Sequence, residues 1–169
     1  MSDYEADILV WTEHQAALLR RRAAGELVNE ADLDWTNIAE EIESVGRSER
    51  SVLSSRVRTI IEHLAKLEAS PASKPRIGWQ ETVLRCRADI DALLQATPSL
   101  RRELDETVAN ELGRALRLAA ASMKLHCEAP RIALEDIRFS SEQVLGPWFP
   151  GSTPRPSPRS TAFASTSRN

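Results

Sequence analysis

From Trp35 to Lys66 apolar residues recur at steps of three and four, the spacing of one face of an α-helix turning about 100° per residue. Trp35, Ile38, Ile42, Val45, Leu53, Val57, Ile60, Leu64 and Leu67 fall on that face and are the expected core of a long amphipathic helix. A shorter helix is predicted before it, over about residues 3–24, with Tyr4, Ile8, Trp11, Gln15, Leu18 and Leu19 on one side and Gly25 as its stop. A third follows over about residues 78–96, where Trp79, Val83, Cys86, Ile90 and Leu93 step by four, three, four and three. Thr97 as cap and Pro98 at the first helical position open a fourth, which reaches about Leu125 with Leu100, Leu104, Val108, Leu112, Ala115, Leu118 or Ala119, and Met123 as its apolar row. Pro71, Pro75 and Gly78 mark a linker between the second and third.

These elements predict an all-α fold: an antiparallel, up-and-down helical bundle of about four main helices. A C-terminal segment ending in Trp148 and Phe149 is expected to dock on it. At 169 residues the chain is most simply one domain, placed over 1–150. Residues 151–169 change to Ser, Thr, Pro and Arg, too poor in apolar surface to offset chain entropy, and are expected to be a disordered tail.

Charge narrows the function. The chain has 22 basic and 25 acidic residues, and three of the basic ones, Arg155, Arg159 and Arg168, lie in the tail. The body is therefore clearly acidic, the wrong sign for a surface that neutralises phosphates, so no nucleic acid is expected as a partner. No apolar run approaches the ~20 residues of a membrane span, so no membrane is expected either. The start MSDYEADILV lacks the basic and apolar regions of a secretory leader, and two cysteines make no disulfide framework. A cytoplasmic location is the expectation.

The long helix carries one oddity. Glu49, Arg56 and His63, each seven residues from the next, continue the row begun by Trp35 and Ile42, and the row drifts by about 20° per heptad toward the edge of the apolar face. Gln15 is the polar position of the first helix's core face. These four form a candidate polar cluster between helices. Three readings fit the pattern: aliphatic stems covering the core margin with polar ends in water, a hydrogen-bonded network inside the bundle, or a reactive or ligand-binding site. Other chemistry finds no footing. The Glu40-x-x-Glu43 pair, tempting as a magnesium site, projects away from the apolar face. No Glu-x-x-His pairs, zinc quartet, nucleophile elbow or glycine-rich phosphate loop occurs, so no metal and no cofactor is expected.

The segment EEIESVGRSE at Glu40–Glu49, followed by His63, Leu64 and Lys66, resembles the bacterial domain of unknown function 29 (DUF) family. Tyr4, Glu5, Trp11 and Gln15 near the start, Trp79, the run Pro98-Ser99-Leu100, and Ser141-Glu142-Gln143-Val144-Leu145 near the end extend the likeness over about Tyr4 to Pro150. The chain departs from the family at Ala65 and Leu67, where a Trp often follows the His-Leu run, and at Gly78, where a Ser is usual. The resemblance implies an all-helical fold with no assigned activity, and it transfers no functional residues. The expected function is therefore a helical protein-interaction or regulatory module without catalysis, whose partner is another protein or a second copy. The alternative is a small enzyme or ligand- or metal-binding protein centred on Glu49, Arg56 and His63 with Gln15.

Overall fold

A computed structural model describes residues 3–151, and the expected disordered tail lies outside the described residues from position 152 onward. The elements are α1 (Asp3–Ala6), α2 (Ile8–Ala23), α3 (Trp35–Ala69), α4 (Arg76–Ala96), α5 (Leu104–Leu125) and α6 (Ser141–Leu145), with short 3-10 turns at Glu30–Asp32, Pro98–Glu103 and Leu134–Asp136. No strand occurs among the described residues, so the fold is all-α. The chain divides into two compact units, one up to Leu53 and one from Ser54.

In the first unit the expected opening helix is broken at Asp7, whose carboxylate accepts from the amides of Leu9 and Val10 and so caps α2 afresh. The helix stops at Gly25. Its φ of 82° lets the amides of Gly25 and Glu26 fold back onto the carbonyls of Arg22 and Arg21, a Schellman closure. Asp34 starts α3 by accepting from the Asn37 amide. Contacts of Tyr4 with Glu41 and of Trp11 with Asp34 run in opposite chain directions, so α2 lies antiparallel to the first half of α3. Trp11, Leu18, Leu33 and Ile38 form the small core, with Tyr4, Leu19 and Val28 packed against it.

The second unit is built on the rest of α3. Arg56 pairs with Asp89 while Arg76 reaches the Leu67 carbonyl, so α4 runs back along α3. Arg58 meets Glu111 and Ser70 meets Glu128, so α5 runs parallel to α3 again. This is the expected up-and-down order. Leu53, Val57, Ile60, Ile61 and Leu64 of α3, with Val83 and Ile90 of α4 and Ala115, Ala119 and Met123 of α5, are all within 3% of complete burial. The start of α5 differs from expectation. Pro98–Glu103 is a 3-10 turn and Thr97 makes no side-chain capping bond, so the α-helix itself begins at Leu104. At its other end Cys127 takes a left-handed φ of 56° and closes the helix as Gly25 closes α2.

After α5 the chain returns over the bundle. Arg131 donates to the carbonyls of Ala69 and Pro71, Leu134, Ile137, Phe139 and Val144 are buried, and a full capping box between Ser140 and Gln143 starts α6. Trp148 and Phe149 dock as expected, Trp148 tilted against Phe139 at 6.0 Å and Phe149 beneath the Arg87 guanidinium at 4.9 Å.

Candidate functional site

Three residues of the candidate cluster, Gln15, Arg56 and His63, have local partners of their own. Gln15 is buried and clasps the turn ahead of α3: its Nε2 donates to the Asp32 carbonyl at 3.1 Å and its Oε1 accepts from the Asp34 amide at 3.0 Å. Arg56 projects outward to Asp89, with 45% and 41% of the two side chains exposed. His63 Nδ1 lies 2.9 Å from the Thr59 carbonyl, an atom that only accepts, so the ring carries its proton there and is tied to its own helix. Glu49 is half-buried on α3.

Around Gln15 the first unit holds a polar depression of about 610 Å³, walled by Trp11, His14, Asp32, Asp34 and Trp35 among others. Hydrogen bonds from Asn37 and from the Trp11 indole hold the Asp34 carboxyl below the usual carboxylate range. Nearby, the Tyr4 hydroxyl donates to Glu41 Oε1 at 2.6 Å, and that bond pushes its pKa up to about 12. These groups fix a turn and a helix start. No group of three or more His, Cys, Asp or Glu side chains that could hold a metal ion occurs among the described residues.

The charges that are truly interior lie elsewhere. Arg87 on α4 is 6% exposed and makes no ion pair among the described residues. Its Nε donates to the Val144 carbonyl at 2.9 Å, and its Nη2 donates to the carbonyls of Gln143 and Trp148 at 2.8 Å each. Its Nη1 is buried without a hydrogen-bond partner. Burial lowers its pKa to about 10, which still leaves it cationic at neutral pH. Arg87 is thus the peg that fastens the C-terminal segment to the bundle. Glu111 on α5, 4% exposed, is held by Arg58 at 2.6 Å and by Arg114 at 3.2 Å, and the Glu111 bond raises the pKa of Arg58. Lys66 is buried against Glu62 at 2.5 Å.

Arg87 and Glu111 were within reach of the helical wheel. Arg87 stands four residues after Val83 and three before Ile90, and Glu111 three after Val108 and four before Ala115, so each occupies a core position of its helix.

Two surfaces contrast with these satisfied interiors. The predicted core face of α3 is a correction in its first half: Ile42 and Val45 are 69% and 63% exposed, and Trp35 is 47% exposed with Arg22 over its ring, while Val52, outside the predicted face, is 43% exposed beside them. Periodicity marks a face as apolar, but burial needs a second element to cover it, and α2 covers only Ile38 and its neighbours. The second surface lies in the other unit. Ala109, Leu112, Gly113, Leu116 and Ala120 of α5, with Leu134, floor a groove of about 520 Å³ that Arg117, Arg138 and Glu135 edge. Beside it Arg58, Arg114, Arg117 and Leu118 line a shallower depression of about 280 Å³.

No helix among the described residues is long and apolar enough to cross a membrane. Comparison with curated proteins and with solved structures gives no match. A family model described as "Domain of unknown function DUF29" matches residues 4–149, and the chain belongs to that family.

Proposed function

We propose that the protein is a bacterial, cytoplasmic protein-interaction module without catalysis, and that it binds its partner through the first half of α3. The observation that carries this reading is the change in exposure along one helix face. From Leu53 to Leu64 the apolar row is at most 1% exposed, whereas Ile42 and Val45, earlier members of the same predicted row, stand open, with Val52 exposed beside them. Monomeric proteins rarely leave contiguous apolar surface of more than a few hundred Å² uncovered, and larger patches mark places where another molecule sits. Aliphatic residues at helical spacing fit a helix or groove of a partner protein, read as i, i+3, i+4 anchors. The acidic balance of the body supports a protein rather than a nucleic acid as that partner.

The test is capture from the native host with wild type and with the double substitution Ile42→Asp and Val45→Asp. Both positions are exposed, so the fold should survive the change. A stoichiometric polypeptide, a second copy included, that is retained by wild type and lost by the variant is the expected result. Recovery of a metabolite or metal alone, equal in both, would overturn it and favour ligand binding.

A further inference from the structure

We infer that the occupant of the α3 stripe is a second copy of this chain, and that the stripe of one copy lies in the α5 groove of the other. This rests on the interaction reading above and names the partner for the same surface. Three features of the two surfaces match.

The first is length. Ile42 to Val52 is ten helical steps, or about 15 Å of helix, and Ala109 to Ala120 is eleven, or about 16 Å. The second is relief. The stripe offers branched side chains that stand out from α3, while the groove floor has Ala109, Gly113 and Ala120, whose small side chains leave hollows between Leu112 and Leu116. Branched knobs facing hollows at helical spacing are how two helices pack.

The third is charge. On the stripe's side of α3 stand Glu41 and Glu49, a net of −2, while Glu40, Glu43, Arg47 and Arg50 project from the other side of the helix. The groove edge and the adjoining depression carry Arg58, Arg114, Arg117 and Arg138 against Glu111 and Glu135, a net of +2. Glu111 is buried under two of these arginines, and Arg117 makes no ion pair among the described residues, so the rim faces outward as a cation. Opposite signs orient the two surfaces and penalise pairing of either with itself. Reciprocal exchange between two copies uses each surface once and doubles a contact that alone is small against the ~1,200–2,000 Å² of a specific interface.

The experiment is sedimentation equilibrium on the full chain. Wild type should associate as a dimer. Ile42→Asp with Val45→Asp removes the stripe, and Gly113→Leu fills the groove. An added Cβ at Gly113 meets only the end of Arg117 at 3.6 Å, and leucine is a better helix former than glycine, so this variant should fold. Arg117→Glu reverses the rim. Each variant alone should associate at least ~10-fold more weakly, about 1.4 kcal/mol. A mixture of the stripe variant with the groove variant should regain part of the association, because one intact stripe then meets one intact groove. If the groove variants dimerise like wild type while the stripe variant does not, the contact is stripe to stripe and the inference is wrong. A monomeric wild type that still loses a different partner on Ile42→Asp and Val45→Asp overturns the self-pairing and leaves the interaction reading standing. Absence of any stripe-dependent association overturns both.

Discussion

Replacing Arg87 by methionine keeps the aliphatic volume and removes the guanidinium, which isolates what the buried cation contributes. The guanidinium makes three hydrogen bonds to carbonyls at 2.8–2.9 Å, all in the segment from Gln143 to Trp148, and lies over the Phe149 ring at 4.9 Å. Hydrogen bonds to a charged group contribute roughly 1.5–3 kcal/mol each, and a cation over an aromatic face about 1–2 kcal/mol when desolvated. Against this stand the cost of burying the ion, several kcal/mol, and the unpartnered Nη1. The net should resemble the loss of one member of a buried polar pair, about 3–5 kcal/mol, because three carbonyls are stranded together. Lysine in place of Arg87 keeps the charge but cannot fork to three acceptors, so it should recover only part of the loss. Urea unfolding gives the magnitude, and hydrogen exchange gives the place: amides from Ser140 to Phe149 should lose protection first. A methionine variant within about 0.5 kcal/mol of wild type, with that segment still protected, would refute the peg.

Tyr4 is the chain's single tyrosine, so phenolate absorbance reports it alone, and its titration should centre near 12 rather than 10. Because the folded value is raised, this bond's stabilisation is full below pH 10 and is lost as pH rises through about 12, and Tyr4→Phe should abolish that alkaline loss. Cys127→Gly should stabilise the protein by about 1 kcal/mol in thermal unfolding, since glycine adopts the left-handed φ of 56° without the penalty of a β-carbon. An unchanged or lower melting temperature would contradict that. Gln15→Ala strands two backbone groups of the turn before α3 and should cost about 1–3 kcal/mol. Arg56→Ala breaks only a half-exposed ion pair and should cost under about 1 kcal/mol in the same assay.

Helix positions and the all-α class were legible because the apolar rows of Leu53 to Leu67, Val83 to Ile90 and Val108 to Met123 each keep helical period over several turns. Boundaries were less so. Asp7 inside the first predicted helix becomes a cap because its carboxylate satisfies two amides that an uninterrupted helix would not expose. Residues of the polar row were visible, but their partners were not: Gln15 bonds to backbone and Arg56 to Asp89, contacts that depend on how the chain folds back. Arg87 and Glu111 escaped because a charged residue in an apolar row reads as an interruption, and only the three-dimensional structure shows the carbonyls and arginines that make its burial tolerable. The open stripe at Ile42, Val45 and Val52 is the complementary case, apolar positions that the elements around them leave uncovered.

Site-specific photocrosslinking from position 45 in living cells tests the central claim most directly. With the crosslinker at Val45, one discrete adduct to a polypeptide is predicted, to a second copy if the pairing with the α5 groove holds. The same probe at Glu40, exposed on the opposite side of α3, should give none. Equal or diffuse labelling from both positions, or no adduct from Val45, would contradict the account.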